Sequence, residues 1–170
     1  MNKKGFTLVE LLAVITIIAI LAGIAVPNVM TAINNTRRNS FLLDAKRMIS
    51  KAEYLLATKK EDRNTIKNDN KGITYDVTEL NVDGEFANDP DGGEYENGFV
   101  HVTYFNNEYQ YCICLVGSKR KIMGDEENNE VCSASSIPNP NEITSLEDLK
   151  PYCKLDSELK VSIVSDKLGN

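Results

Sequence analysis

The sequence has no tryptophan and a single histidine, His101, in 170 residues. The missing tryptophan carries no functional message. The single histidine rules out a His-x-x-x-His metal pair. No Ser-His-Asp order and no glycine-rich phosphate loop stands in its place, so an enzymatic reading has no residues to rest on. No catalytic residue and no cofactor is expected, and His101, on a predicted strand, is assigned to the surface or to sheet packing. Positive charge is scarce in most of the chain: residues 68–170 carry 8 Lys/Arg against 20 Asp/Glu. Residues 1–67 reverse this, with 11 against 5. An acidic main part argues against nucleic acid as the primary partner. The basic first third suggests complementary surfaces within or between copies. With 42% hydrophobic and 26% charged residues and no internal repeat, the chain suits one small domain plus an extra element.

The extra element is at the start. Residues 1–5 are short, polar and basic, with Lys3 and Lys4 placed to keep this end on the cytoplasmic side. From Phe6 to Val26 the chain is apolar apart from Thr7, Glu10, Thr16 and Gly23. As a helix, this run spans roughly 30 Å, enough to cross a bilayer core. Gly23-Ile24-Ala25 is also an acceptable small-x-small cleavage site, so an ordinary secretory signal peptide is a competing reading. That reading leaves Glu10 unexplained, because such a signal wants an uninterrupted apolar centre. Gly23 and Pro27 mark a kink near the end of the run.

The helical pattern resumes beyond Pro27. Phe41, Ala45, Met48, Ala52 and Leu55 recur at spacings of four and three, flanked by Leu42, Ile49 and Leu56, with basic residues over much of the remaining surface. One long helix from Phe6 to about Lys60 is predicted, with two helices broken at Pro27 as the alternative. Residues 61–97 read as loop-rich, with an exposed linker at 67–72 and a short helix or strand at Tyr75–Leu80. The clearest β signal is Phe99–Phe105 and Tyr109–Val116 around Asn106-Asn107, a hairpin with Glu108 in its turn. Lys119–Asn129 reads as charged loop. Thr144 and Glu147 form a candidate capping box, and Leu159–Val164 a last strand. The apolar stripe of residues 41–56 is the natural partner for the sheet. The expected fold is therefore α+β: a long N-terminal helix, membrane half plus amphipathic half, packed by a small antiparallel sheet. The first half of that helix has no partner in the chain and must find lipid or another protein.

Lys4-Gly5-Phe6-Thr7-Leu8-Val9-Glu10, followed by a long apolar helix, resembles the N-terminus of type IV prepilins, and the architecture is similar to that family's lollipop. The resemblance implies a cleaved leader at 1–5 and a transmembrane or filament-core helix at 6–27. It further implies an amphipathic second half at 28–60 and an extracellular head at 61–170. It implies that a prepilin peptidase cuts between Gly5 and Phe6 and methylates the new N-terminus at Phe6. Gly5 suits a narrow protease cleft because it has no side chain. Glu10, four residues after Phe6, is implied to attract the positive N-terminus of a neighbouring subunit during assembly. Gly23 and Pro27 are implied to permit local melting in the filament, against a plain membrane-edge kink. The implied partners are like subunits in a homo-oligomeric filament, the peptidase/methylase, an assembly platform with its ATPase, and the cytoplasmic membrane before assembly. The implied roles are adhesion, surface motility and biofilm formation. A pseudopilin of a secretion or competence system and a minor pilin share the N-terminus, and a secreted or anchored binding domain is the reading from another class.

Four cysteines remain: Cys112, Cys114, Cys132 and Cys153. Cys112 and Cys114 share one face of a strand and are too far apart for an easy mutual bond. Three complete pairings are open. Cys132 and Cys153 bracket a stretch that resembles the disulfide-bounded loop of many pilins, so Cys132–Cys153 is expected. Free buried cysteines, or a zinc site on Cys112 and Cys114, are weaker alternatives. Asp89, Asp91 and Glu94 are calcium-loop candidates, by likeness to the acidic loop of pseudopilins. The spacing is not that of an EF-hand, and an acidic turn is usually just solvated.

Overall fold

The computed structural model describes residues 7–69, 72–81, 84, 86, 88–124, 132, 134–137, 143 and 145–163. The chain divides into two compact units, Met1–Arg37 and Arg38–Asn170. Helix α1, Leu8–Thr58, begins in the first and ends in the second. It is the one helix among the described residues long and apolar enough to cross a membrane.

In the first unit α1 runs through Pro27 without a break. Proline removes the bond its own N–H would have made one turn back. Polar side chains nearby also bond to the backbone: Asn28 Nδ2 donates to the Ile24 carbonyl at 3.1 Å, and Thr31 Oγ1 to the Pro27 carbonyl at 3.0 Å. The large apolar side chains from Leu8 to Ile33 are 40–80% exposed.

The second unit is built on the stripe read from the sequence. Phe41, Ala45, Met48, Ile49, Ala52 and Leu56 of α1 are buried. The stripe ends on Leu56 rather than Leu55, which is half-buried. The sheet comprises β1 (Ile73–Asp76), β2 (Asn97–Phe105), β3 (Glu108–Val116), β4 (Arg120–Ile122), β5 (Lys154–Leu155) and β6 (Ser162–Ile163). Its order is β1-β2-β3-β4-β6, with β5 added on β3, and every pairing is antiparallel. This is the expected α+β arrangement, a long N-terminal helix packed against a small antiparallel sheet. Asn106 and Asn107 form the β2–β3 turn with φ of 50° and 70°, the left-handed pair a two-residue hairpin requires. Glu108 is already in β3, so the turn is one residue shorter than expected.

Some elements differ from the sequence reading. Lys60–Asp69 is a second helix, α2, rather than loop. It is polar, opens with Glu61 and Asp62 where the helix dipole favours acids, and is anchored by buried Ile66. Tyr75 of β1 donates its hydroxyl to Asp62 at 2.8 Å. The 75–80 segment is both strand and helix: β1 ends at Asp76, whose side chain caps the short helix α3, Val77–Leu80. Arg120–Ile122, read as loop because of its charges, is a buried strand. The last strand shrinks to Ser162–Ile163.

The larger departure is a second layer. Even-numbered β2 residues Val100 and Val102 join Ile113 and Leu115 of β3 in the core under the helix. Odd-numbered Phe99 belongs to a separate core on the opposite face, with Cys112, Cys114, Val116, Met123, Cys132, Ile143, Leu149 and Cys153. The sheet is thus buried on both faces, by α1 on one and by the C-terminal segment on the other. Two disulfides staple that segment down: Cys112–Cys153 and Cys114–Cys132, each with Cα atoms 5.5 Å apart. The expected Cys132–Cys153 pairing is therefore corrected. Cys112 and Cys114 do share a face, as read, and that face is covered. β5 pairs Leu155 with Cys112, which brings Cys153 alongside. Each strand cysteine takes a partner from the covering layer, and none is left free.

In that layer a 3-10 turn at Leu146–Leu149 opens at Ser145, whose N–H donates to Asp148 at 2.8 Å. The box lies one residue after the Thr144–Glu147 pair read from sequence. Thr144 lies outside the described residues, and Glu147 instead accepts from Lys150 at 2.7 Å.

The acidic loop is a clamp. Asp89 is buried, accepts N–H bonds from Asp91 at 2.7 Å and Gly93 at 3.3 Å, and receives Ser118 N–H from the β3–β4 turn. Gly92 supplies the left-handed φ of 92° that closes the loop. Burial acts to raise the Asp89 pKa, but the bonds from Ser118, Asp91 and Gly93 outweigh it and hold the carboxyl below the usual range. Asp91 pairs with Arg120 of β4: Arg120 Nη2 donates to Oδ1 at 3.2 Å, and Nε lies at ion-pair distance, 2.7 Å, from Oδ2. Asp89 and Asp91 are thus committed to protein donors, while Glu94 is exposed. The calcium cage proposed for these three residues is not assembled, and among the described residues no three His, Cys, Asp or Glu side chains converge as a metal site.

His101 is buried in β2, with Nδ1 2.8 Å from Thr74 Oγ1. The backbone of Gly72 lies directly over the ring, where any Cβ would overlap Nε2. Burial pushes the imidazole pKa down to about 4. A folded value below the unfolded one of about 6.5 means the neutral ring favours the fold above pH 6.5 and that contribution is lost as pH falls towards 4. The loss amounts to about 3 kcal/mol across that window. Denaturant titrations at pH 7 and pH 4 should show this difference, and His101→Gln should reduce it.

Candidate functional site

The candidate site is the start of α1, and Thr7 and Glu10 build it. Thr7 is the residue before the first helical turn, and its carbonyl accepts the Leu11 N–H at 3.2 Å. Thr7 Oγ1 accepts the Glu10 N–H at 3.3 Å. In return, Glu10 Oε2 accepts the Thr7 N–H at 2.8 Å and the Thr7 hydroxyl at 2.9 Å. This is a reciprocal capping box, T-x-x-E, in which two orphan donors of the helix end are satisfied. The acid also sits at the positive end of the helix dipole. The carboxylate that looked out of place in an apolar run is therefore held by its own helix. The signal was present in Thr7-Leu8-Val9-Glu10, and sequence reasoning passed over it.

Gly5 and Phe6, the proposed cleavage and methylation positions, lie outside the described residues. Gly23 and Pro27 are inside α1, and no heavy atom lies within 4 Å of where a Gly23 Cβ would be. Thr16, the other polar residue of the run, donates its hydroxyl to the Ala13 carbonyl at 2.8 Å. The stretch of α1 from Leu8 to Ile33, with exposed apolar side chains, with Thr16, Asn28 and Thr31 bonded to its own backbone and with Glu10 as its single acid, can lie in lipid or against like helices.

Residues 1–26 match the family model described as the prokaryotic N-terminal methylation motif. The match covers the start of α1 and not the sheet-bearing unit, so the likeness to type IV pilin-like proteins is one of the N-terminus. The chain is 53% identical over 47 residues to the type IV wide pilus major component PilA4 of Thermus thermophilus. That match spans 26% of this chain and 36% of the relative's length. No solved structure matches the chain.

Proposed function

We propose that this chain is a structural subunit of a type IV pilus filament. The observation that carries the reading is the apolar, laterally exposed start of α1 with Glu10 in its first turn. It is cut by a prepilin peptidase between Gly5 and Phe6 and methylated at Phe6. It waits as a single-pass protein of the cytoplasmic membrane with its N-terminus inside, and is extracted by an assembly platform and its ATPase. Residues 6–27 become the filament core, residues 28–60 carry the head, and residues 61–170 face outward. In lipid the apolar side chains are already satisfied, so assembly gains from helix packing and from the Glu10 carboxylate meeting the charged amine of a neighbour's Phe6. Two disulfides fit a head that matures outside the reducing cytoplasm. Adhesion, surface motility and biofilm formation are the roles such a filament serves.

Shearing cells that express the chain tests this. Filaments made mainly of this protein support the reading. Its presence only in traces would favour a minor pilin, and its retention in the envelope a pseudopilin.

A further inference from the structure

The ring of His101 is closed in by a thin layer. His101 stands on β2 and is buried, yet β1 and the residue that leads into it cover the ring. Gly72 lies over Nε2 and Cε1, and Thr74, opposite His101 in the strand register, has its hydroxyl on Nδ1. Gly72, Ile73 and Thr74 are themselves partly exposed, so water begins on their far side. β1 is an end strand of the sheet and pairs only with β2 among the described strands. Among the described residues Nε2 has no hydrogen-bond partner, and neither has Thr103 Oγ1, buried two residues further along the same face of β2.

The neutral ring tolerates this position, because one nitrogen can remain a bare acceptor and the Thr74 hydroxyl can donate or accept. A protonated ring has two N–H donors. Thr74 can accept one, and the other meets the Gly72 backbone. A buried donor without a partner is costly, and a buried charge more so. The charged side chains on the neighbouring elements have other places. Asp76 of β1, two residues beyond Thr74, accepts the N–H and hydroxyl of Thr78 at 2.9 and 2.7 Å. Glu108 of β3 stands at the hairpin end, opposite Phe105. Asp62 and Lys67 of α2 meet Tyr75 and the Tyr104–Tyr109 pair on the opposite face of the sheet. β2 itself has no acid, lysine or arginine, and the 3-10 turn Ala134–Ser136, which packs on β1 and β2, has none either. Burial thus decides the ring's pKa and lowers it to about 4.

We propose that His101 is an acid-sensitive latch on the sheet edge: a proton on Nε2 lifts Gly72 and frees β1 from β2, while the β2–β3 hairpin stays paired. The proposal is independent of the filament reading, and it gives the acid-linked loss of stability a place in the fold. β1 yields first because it is four residues long and held by one neighbour, whereas β2 and β3 pair over nine. The ring binds its proton more tightly once β1 has left, so opening grows as pH falls from about 6.5 towards 4.

The test is hydrogen exchange of the oxidised full-length chain in detergent micelles at pH 7 and pH 4.5, scaled for the intrinsic pH dependence of exchange. Amides of Ile73–Asp76 should lose protection by about tenfold or more, while those of Tyr109–Val116 keep theirs. His101 is the single histidine, so its ring NMR signal follows the titration directly and should move well below pH 6.5. His101→Gln, which takes up no proton, should keep β1 protected at pH 4.5. Asp76→Asn should retain the wild-type response, which separates the ring from the other titrating group of β1. Unchanged β1 protection in the wild type, a ring that titrates at 6.5, or an equal loss in His101→Gln would each overturn the latch. Loss of protection in β1 and the hairpin together would replace it with plain acid unfolding. If His101→Gln does not fold, the wild-type exchange and ring titration decide.

Discussion

Glu10→Ala should leave the leader cleaved and Phe6 methylated while reducing filament yield by at least tenfold. The argument is electrostatic. An acid in the apolar part of a membrane helix costs on the order of 2.5–3.5 kcal/mol. In this chain the cost is reduced by the capping box, in which Thr7 N–H and Oγ1 both donate to Glu10 Oε2. The box fills one oxygen from within the helix and holds the carboxylate at the helix start, where the amine of another Phe6 would arrive. Removing one partner of a desolvated charge pair costs roughly 2–5 kcal/mol, or about thirty- to several-thousandfold in association. In the proposed processing the peptidase would read Gly5 and the backbone around it, so cleavage should continue. Wild-type filament levels from Glu10→Ala would show that the acid serves only to cap its own helix. Thr7→Val separates the two roles, because it removes the hydroxyl bond and retains the charge. It should weaken assembly far less than Glu10→Ala.

The second large effect is expected in the head. The double change Cys112→Ser with Cys153→Ser should destabilise it by about 4 kcal/mol, from the chain-entropy value of a loop this long. Cys114→Ser with Cys132→Ser, which opens the shorter loop, should cost about 3 kcal/mol. Both lie within a total stability of roughly 5–15 kcal/mol, so either change brings the fold near its limit. The melting temperature should fall by roughly 10–15 °C for the first pair. The damage should be local at first. The core of Phe41, Met48, Val100 and Ile113 does not depend on the bridges, whereas the layer holding Leu149 and Cys153 over Phe99 does. Limited proteolysis of the reduced protein should therefore cut within the C-terminal segment before it cuts in α1. Peptide mapping that recovers a Cys132–Cys153 bond, or an unchanged melting temperature, would contradict this account.

The sequence revealed what is local and periodic. The stripe at 41, 45, 48, 52 is legible because helix packing repeats every 3.6 residues, and the hairpin is legible because Asn106-Asn107 favours the left-handed turn. The covering layer was not legible. A sheet buried on both faces has no apolar–polar alternation, and Phe99-Val100-His101-Val102-Thr103 does not reveal that two cores meet it. Without that layer, nothing brought Cys132 to β3 rather than to Cys153. Arg120 read as part of a charged loop because the Asp91 carboxylate that permits its burial lies 29 residues away in sequence. Helix α2 was hidden because one buried residue, Ile66, anchors an otherwise polar segment. At the candidate site, Glu10 was conspicuous through its surroundings. The Thr7 partner was equally readable as a T-x-x-E box, and the apolar context of the run diverted attention from it.

The measurement that bears most directly on the assembly account is intact-mass and N-terminal analysis of the mature protein. The account predicts a chain that begins at Phe6 and carries one methyl group on its amine, with the whole of α1 retained. A mature chain beginning at Val26 would mean that α1 is cut as an ordinary export signal, and would contradict it.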